Sequence, residues 1–426
     1  MNRELKLAYD ILCKVCIEKS SVSIELNKSI NKSEGINTAL VTKIVYGVLE
    51  KDISLDYFIV KFISKKPNDK VLILLKIVAF VSQEINSIPN FALVSEIVNI
   101  SKAVDKHVSG FVNAVSKKLV SNKPTLPSEK DYVKYLSIKY NFPEWVIKEL
   151  LKEHDKVFVE SLIAHELSTL THVRVNLDKV TPKDFKLKLN DNGIKYEDSL
   201  YDYTLYIDYA KALKTGLSEL FIVQGLPSII TCNVLGADGG KVLDVCSAPG
   251  GKAVLIAQNK NNVVYACDIH NHRVDLIKKY ALSLGVKNIK YFVQDGTKER
   301  KEWLNSFGYV LCDVPCSNLG VSRKKPDVFL NKSLADTLTL AGIQYKILEN
   351  SAKYVKSGGV LQYSTCTILN KENKDVVLKF LQNHPEFTLT PIDCGDIDVL
   401  NDNGLYTFYP HKTKTEGFFI GRMIKR

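Results

Sequence analysis

The first part of the chain repeats one pattern of hydrophobic positions. Apolar residues recur every three or four positions, the spacing that places them on one face of an α-helix. The pattern is found in five stretches: 3–19, 36–50, 69–86, 89–105 and 109–120. Because each such helix must bury its apolar face against neighbours, the sequence predicts an all-helical bundle over residues 1–121.

The hydrophobic pattern changes beyond residue 240. Short apolar runs rich in β-branched and aromatic residues alternate with helical stretches such as 271–284 and 334–355. The runs read KVLDVC, NVVYACD, IKYFVQD, YVLCDVP and GVLQYSTC. Strands that alternate with helices predict an α/β fold, in which a parallel sheet is covered on both faces and ligands bind at the carboxyl ends of its strands. We expect this domain to span residues 221–426.

The region between these two patterns begins with a segment that is neither helix nor strand. Residues 122–131 contain two prolines and no apolar period, which predicts a linker. Beyond it, a helix is entered through Pro143, and a strand is followed by a helix that starts near Thr181. The sequence therefore predicts a small α+β region over residues 132–220.

The charge of the chain indicates a class of partner. Its formal net charge is +11 and its pI is near 8.9, which favours a polyanion such as a nucleic acid. Arg174 and Asn176, in the predicted strand, could contact a phosphate backbone. A solvated strand edge explains the same two residues equally well.

The composition also indicates a compartment. No run reaches eighteen apolar residues, and charged side chains interrupt the first thirty, so we expect a cytoplasmic protein without a membrane partner. Nine cysteines in a reducing compartment do not form a disulfide framework. Since no C-x-x-C pair recurs at zinc spacing, no metal is expected.

A small-residue loop follows the first predicted strand of the α/β domain, in VLDVCSAPGGK at 242–252. The loop lacks the glycine spacing of both the phosphate loop and the dinucleotide fingerprint, and an ordinary turn between strand and helix would also fit it. Asp268 ends the next strand about twenty residues later, where dinucleotide folds place a ribose-binding carboxylate. A cofactor cradle is the alternative to the ordinary turn, and its residues would be Cys246, Ser247, Ala248, Pro249, Gly250, Gly251 and Lys252.

Polar residues recur at the ends of the predicted strands. Four are aspartates, and each could either cap a helix or contact a ligand: Asp244, Asp268, Asp295 and Asp313. Cys316 and Cys366 each follow a strand, so both thiols could face one crevice. A free cysteine is often only a small buried hydrophobe, but a pair beside a cofactor loop suggests covalent catalysis by one thiolate.

These motifs together resemble a known family. DVCSAPGGK, DVPCSNLG followed by RKKPD, STCT followed by KEN, and EGFFIGR are similar to motifs of the AdoMet-dependent RNA cytosine-5 methyltransferases. IPNFALVSEIVNISKAV with SGFVNAVSKKL resembles the NusB-like RNA-binding domain. The resemblance covers nearly all of the 426 residues. The sequence departs from the family at Gln224–Ser228, which reads QGLPS where Q-D-x-S-S is usual.

The resemblance implies a fold and an activity. The fold is a Rossmann-like class I methyltransferase domain with a mostly parallel seven-stranded sheet, preceded by the NusB-like domain and a small α+β insert that recognises RNA. The activity is methyl transfer from S-adenosyl-L-methionine (AdoMet) to C5 of a specific cytosine in small-subunit (16S) ribosomal RNA. The partner is ribosomal RNA that is not fully assembled, and the enzyme is a monomer without a metal.

The resemblance also implies roles for individual residues. Cys366 is the nucleophile that adds to C6 of the base, Cys316 helps to break down the adduct, and Asp313 contacts N3 and borders the cofactor. Asp268 binds the ribose of AdoMet, Asp295 lies on its adenine side, and Arg273 completes the cofactor site. The loop at 246–252 holds the amino-acid end of the cofactor.

Other readings remain open. Within the same chemistry, the substrate could be tRNA or another RNA, and the helical domain with its basic charge also fits a non-catalytic RNA-binding assembly factor. A DNA cytosine-5 methyltransferase would use Pro315–Cys316, but it has no second thiol at the position of Cys366. An NAD-dependent oxidoreductase lacks support because G-x-G-x-x-G is missing.

Overall fold

The computed structural model describes residues 2–30, 35–166 and 168–426, with the side chain of Asn331 omitted. Residues 1, 31–34 and 167, inside the predicted helical bundle and α+β region, lie outside the described residues. The chain forms two compact units. One comprises Met1–Ala164 with Ser322–Leu334, and the other comprises His165–Val321 with Ala335–Arg426.

The described residues of the first unit form helices and connecting loops without a strand, as predicted for residues 1–121. The unit also includes residues 132–164, which were predicted to belong to the α+β region. Its main helices are α1 (Arg3–Cys16), α2 (Val22–Ile30), α3 (Thr38–Glu50), α4 (Asp52–Val60), α5 (Asp69–Glu84), α6 (Asn90–Val104), α7 (Ser109–Ser121), α8 (Tyr132–Tyr140), α9 (Glu144–Glu153) and α10 (Lys156–Ala164). Asparagines cap three of them: the side chains of Asn2, Asn37 and Asn68 accept backbone N–H groups in the first turns of α1, α3 and α5.

Helix α5 is the centre of this unit. Every residue from Val71 to Val81 is buried, and α1, α3, α4, α6 and α7 pack against the helix. The buried cation of Lys76 is paired with Asp52 at 2.5 Å and Asp56 at 3.0 Å, as a charge inside a core requires. None of the helices in the described ranges has the length and apolar character that a membrane crossing would need.

A short segment from the second half of the sequence belongs to this helical unit. It contains a 3₁₀ helix at Pro326–Asn331. The ring of Phe329 packs edge-on against Phe142, with centroids 4.9 Å apart, and the Asp327 carboxylate accepts the backbone N–H of Val22. Residues 322–334 therefore leave the sheet domain and complete the helical bundle.

The second unit begins with a small antiparallel sheet of order β2-β3-β1-β4. The strands and helices here are β1 (Thr171–Val175), α11 (Pro182–Asp191), β2 (Tyr196–Asp198), β3 (Thr204–Ile207), α12 (Tyr209–Leu213) and β4 (Phe221–Val223). Thr181 caps α11 by accepting the N–H of Asp184 at 3.1 Å. The predicted strand and the predicted helix near Thr181 are both confirmed.

The larger sheet of this unit carries the α/β domain. Its elements are α13 (Leu226–Leu235), β5 (Gly240–Asp244), α14 (Gly251–Ala257), β6 (Asn262–Asp268), α15 (Asn271–Ser283), β7 (Ile289–Val293), β8 (Phe307–Asp313), α16 (Leu334–Ala352), β9 (Val355–Thr365), α17 (Lys374–Asn383), β10 (Phe387–Leu389), β11 (Leu400–Asp402), β12 (Leu405–Phe408), α18 (Pro410–Thr413) and β13 (Phe418–Lys425). The order is β11-β12-β13-β9-β8-β5-β6-β7, and β10 pairs with β13.

The five strands from β5 to β9 are parallel and the other four are antiparallel, so the sheet is mixed. The Rossmann-like methyltransferase fold is confirmed, but the predicted count of seven strands is wrong because the sheet has nine. The two additional strands, β10 and β11, have only three residues each and lie at the antiparallel end. Such short strands carry no detectable alternation of apolar and polar residues.

The strand order determines where a ligand can bind. From β5 the chain moves to one side through β6 and β7, and it returns to the other side of β5 as β8 and β9. The change of direction between β5 and β8 is a topological switch point, beside which open α/β sheets bind their ligands. Asp244, Asp268 and Asp313 are the last residues of β5, β6 and β8, and Cys366 directly follows β9.

Candidate active site

A cavity of about 340 Å³ opens at this switch point. Its walls contain eight of the residues predicted from the sequence: Cys246, Ala248, Asp268, Arg273, Asp295, Asp313, Cys316 and Cys366. They come from the carboxyl ends of β5 to β9 and the residues just beyond, with Arg273 from the first turn of α15. The structure therefore brings both thiols and three of the four predicted carboxylates to one cavity.

Backbone hydrogen bonds hold the loop after β5 in place. Ser247 donates its N–H to the carbonyl of Cys267 at 2.7 Å, and Gly250 donates to the carbonyl of Ser247 at 2.8 Å. Gly250 has a φ of +109°, and a Cβ there would lie 3.1 Å from the side chain of Ile277. A larger residue would thus be strained, which explains the glycine. The predicted residues Ser247, Pro249, Gly250, Gly251 and Lys252 do not line the cavity wall.

Asp268 is an anchored carboxylate on this wall. It is only 3% exposed and accepts the backbone N–H of His270 at 3.2 Å. Arg273 forms an ion pair with it at 3.1 Å and also donates to the carbonyl of Ala248 at 3.4 Å. Arg273 therefore connects the end of β6 to the loop after β5.

Asp295 also lines the cavity, two residues beyond β7. Its carboxylate accepts the hydroxyl of Thr297 at 2.7 Å and the backbone N–H of the same residue at 3.0 Å. These hydrogen bonds lower the pKa of Asp295 below its usual range, so the group is ionised at neutral pH.

Asp313 is held at both oxygens. Lys252 donates to Oδ2 at 2.7 Å and Ser364 donates to Oδ1 at 2.8 Å. Burial acts to lower the pKa of Lys252, but the charge of Asp313 outweighs it, and the pKa lies above its ordinary value. Lys252 therefore neutralises the carboxylate of Asp313 and does not line the cavity.

The two predicted cysteines lie in contact. Their sulfur atoms are 3.1 Å apart, and the thiol of Cys366 also donates to Oδ1 of Asn318 at 2.8 Å. Cys316 is only 6% exposed. Its hydrogen bond with Cys366 is the larger cause, and burial the next, of a pKa of Cys316 that lies well above its ordinary value. Cys316 is therefore held as a neutral thiol.

A buried network that sequence reasoning missed fixes the loops of both cysteines. Glu372 is fully buried and accepts the backbone N–H of Ser317 at 2.8 Å, its hydroxyl at 2.5 Å, and the side-chain amide of Gln344 at 2.9 Å. The hydroxyl of Ser317 lies 2.8 Å from that of Thr367. The signal was present, because Glu372 is the central residue of the KEN triplet that follows STCT.

Arg174 and Asn176 are not where the sequence suggested. Both are buried, at 0% and 3% exposure, and β1 is an inner strand between β3 and β4. The guanidinium of Arg174 donates through Nε to the side-chain oxygen of Gln224 at 2.8 Å. Both predicted alternatives, a phosphate contact and a solvated strand edge, are therefore wrong for these residues.

Asp244, the last residue of β5, carries a buried carboxyl group. It is 0% exposed, and neither oxygen meets a hydrogen-bond donor of normal geometry in the described part of the chain. Burial raises the pKa of Asp244 to about 7, and the charges of Asp313 and Asp268 add to this effect. An unfolded aspartate titrates near 4, so the folded protein binds a proton here that the unfolded chain has lost.

This difference predicts a pH dependence of stability. The stabilisation from protonated Asp244 is complete below about pH 4 and is lost as the pH rises through about 7. Relative to Asp244→Asn, the wild-type free energy of unfolding should fall by about 3 kcal/mol from pH 5 to pH 8. Urea unfolding followed by the fluorescence of Trp303 measures this, in a Trp145→Phe background that leaves one tryptophan.

The exposed Asp275 supplies the control. Asp275→Asn removes the same charge from the surface of α15, and its stability should follow that of wild type across the pH range. A constant difference between wild type and Asp244→Asn from pH 5 to pH 8 would disprove the raised pKa.

Comparison with known proteins gives consistent matches over both parts of the chain. Residues 234–424 match the family described as 16S rRNA methyltransferase RsmB/F, and residues 2–120 match the NusB family. The chain is 33% identical to the probable ribosomal RNA small subunit methyltransferase B of Bacillus subtilis (strain 168), with 94% of each chain covered. It is 27% identical to ribosomal RNA small subunit methyltransferase B of Citrobacter koseri, with 91% of each covered.

Solved structures share the fold. The crystal structure of PH0851 superimposes with a TM-score of 0.85 at 24% identity and covers 99% of each chain. The structure of NSun6 from Pyrococcus horikoshii with SFG has a TM-score of 0.59 at 22% identity, over 67% of this chain and 98% of that one. The helical and the α/β parts of the chain therefore recur together in a protein of similar architecture.

Proposed function

Since the chain belongs to the ribosomal RNA small subunit methyltransferase B family of AdoMet-dependent enzymes, we propose that it methylates C5 of one cytosine in 16S ribosomal RNA through a covalent adduct. The observation that carries the proposal is the pair of thiols on one wall of the cavity at the sheet's switch point. A methyltransferase acting on a nucleophilic oxygen or nitrogen needs no thiol there, whereas C5 of cytosine does.

The donor set of the cavity fits AdoMet. Bound there, the cofactor supplies an electrophilic methyl group on a positively charged sulfur. Asp268, already anchored by Arg273, would accept the ribose hydroxyls, since a carboxylate oxygen takes more than one hydrogen bond. Asp295 would lie on the adenine side, and the backbone of residues 246–248 would face the amino-acid end. Gly250 would keep the loop in this conformation, and Lys252 would hold Asp313, without either contacting the cofactor.

The chemistry of cytosine explains why a thiolate is required. C5 belongs to an electron-poor aromatic ring and is a weak nucleophile on its own. Addition of the Cys366 thiolate to C6 turns C5 into an enamine carbon, which can accept the methyl group. Loss of the C5 proton then restores the double bond and expels Cys366. The cytosine must leave its stack, or lie in a single-stranded loop, to reach the cavity.

Asp313 and Cys316 would serve the ring during this sequence. Negative charge develops toward N3 as the thiolate adds, and Asp313 lies on the same wall with its orientation fixed by Lys252 and Ser364. When N3 takes a proton from solvent as the thiolate adds, a carboxylate held in this way can accept a hydrogen bond from that N3–H and support the electron-rich ring. Cys316, held as a thiol before the adduct forms, does not compete as the nucleophile.

The basic charge and the helical unit fit an RNA substrate. We propose that the helical domain at 1–121 and the region at 132–220 bind ribosomal RNA that is not fully assembled. Contacts with phosphates would supply affinity and register, while the cavity accepts the base.

One experiment tests the proposed activity directly. The full-length protein is incubated with a 16S ribosomal RNA transcript and AdoMet labelled in its methyl group, and the RNA is digested to nucleosides. We expect the label in 5-methylcytidine, and bisulfite sequencing should place it at one position. Transfer RNA and duplex DNA of matched mass serve as controls. Label in another nucleoside, preferential labelling of a control, or no label would contradict the proposal.

A further inference from the structure

Asn318 combines an unusual backbone conformation with a contact to the cysteine pair. It follows β8 within the DVPCSNLG motif and has a φ of +62°, in the left-handed region. Glycine adopts this conformation freely, and asparagine tolerates it better than most residues but still at a cost. A non-glycine residue that keeps such a conformation beside an active site points to a functional role for its side chain.

The backbone fixes Asn318 beside Cys366. Before it in the chain, Ser317 is hydrogen-bonded to Glu372 and Thr367. After it, Gly320 donates to the carbonyl of Cys366 at 3.0 Å and accepts the N–H of Gly417 at 2.8 Å. A Cβ at Gly320 would lie 2.1 Å from the carbonyl oxygen of Gly417, so this close approach is built into the fold.

The side chain of Asn318 reaches both sulfur atoms. Oδ1 accepts the thiol of Cys366 at 2.8 Å and lies 3.9 Å from the sulfur of Cys316. The residue lines the cavity and is partly exposed there. Within the described chain, no hydrogen bond engages its Nδ2, which is therefore available at the same place.

On the basis of the proposed function, we propose that Asn318 is a positioning residue that holds the sulfur of Cys366 in both of its protonation states. A carboxamide has an acceptor and a donor at the two ends of one group. In the resting enzyme, the oxygen accepts a hydrogen bond from the thiol of Cys366. When the thiol ionises and its proton passes to solvent, rotation of the amide about Cβ–Cγ presents an N–H to the thiolate.

This exchange predicts how replacements act on the thiol. The hydrogen bond from the amide to the thiolate involves a charged group and is stronger than the bond that the neutral thiol donates. Removing the side chain should therefore make ionisation of Cys366 harder. A carboxylate of the same shape should make it harder still, since it can only accept and carries a like charge.

The test measures the thiol without RNA or AdoMet. Full-length protein is treated with iodoacetamide across pH 6 to 10, and alkylation of the Cys366 peptide is followed by mass spectrometry. Asn318→Gly is compatible with the left-handed backbone, and Asn318→Asp keeps the shape. At neutral pH we expect alkylation of Cys366 to slow about threefold in Asn318→Gly and at least about tenfold in Asn318→Asp. The midpoints of both pH profiles should move upward.

A second left-handed asparagine supplies the control. Asn403 has a φ of +54° and lies in the turn between β11 and β12, so Asn403→Gly makes the same change away from the cysteines. Its profile should match wild type. Superimposable profiles for wild type and both Asn318 variants would overturn the inference, as would an equal change in Asn403→Gly. Because alkylation needs no substrate, the pH profiles can be interpreted even if the protein does not transfer a methyl group to RNA.

Discussion

Replacement of Cys366 by alanine is expected to abolish methyl transfer to RNA. Without the thiolate at C6, C5 stays part of an aromatic ring and cannot accept the methyl group. We expect the single-turnover rate to fall at least about 1,000-fold, the scale of losses seen when a catalytic nucleophile is removed. The measurement is transfer of labelled methyl from AdoMet to a 16S ribosomal RNA transcript at saturating enzyme.

Two comparisons make this result specific. The dissociation constant of AdoMet, measured by calorimetry, should stay within about twofold of wild type, since the proposed contact of Cys366 is with the base. Cys394→Ala removes a buried thiol that does not line the cavity and should leave the rate near wild type. If Cys366→Ala retained more than about one tenth of the rate, the nucleophile would be Cys316 and not Cys366.

The parts of this fold that the sequence predicts are those with a repeating pattern. Helix α5 and strands β6 and β8 are long enough for their apolar spacing to identify them. Strands β10 and β11, with three residues each, are recognised only through the neighbours they pair with. The strand count was therefore wrong, while the fold class was confirmed.

Side-chain partners were harder to predict because they are distant in sequence. Lys252 looked like a cofactor ligand, but its carboxylate partner, Asp313, lies 61 residues away. The sequence places Arg174 either at a phosphate contact or on a solvated strand edge. Its partner Gln224 is 50 residues away, on the segment where the chain departs from its family. Local pattern gives the position of such residues and not what they contact.

The two cysteines show the opposite case. Their place after β8 and β9 was enough to predict that they share a crevice, since parallel strands end at one edge of the sheet. Their contact at 3.1 Å and the burial of Cys316 follow from the packing of both loops around Glu372. The sequence could name the pair, but only the structure suggests how the two thiols divide the work.

The second large effect is expected for Cys316→Ala, in the release of RNA from the covalent adduct. The hydrogen bond with Cys366 is the main cause of the raised pKa of Cys316, and an adduct at Cys366 removes the thiol that takes part in it. In the proposed mechanism, Cys316 should therefore become easier to ionise once the adduct has formed, and its thiolate would then take the C5 proton. Transfer of that proton restores the double bond between C5 and C6 and releases Cys366 as the thiolate.

In Cys316→Ala, addition to C6 and methylation should still occur, but release should stall. We expect RNA to accumulate covalently attached to the protein, as a slowly migrating band on a denaturing gel with end-labelled transcript. The band should be absent from the double variant that also carries Cys366→Ala, which proves the attachment point. Cys312→Ala, at a buried thiol of β8 outside the cavity, should release RNA normally. Loss of turnover in Cys316→Ala without any such band would rule out its role in resolving the adduct.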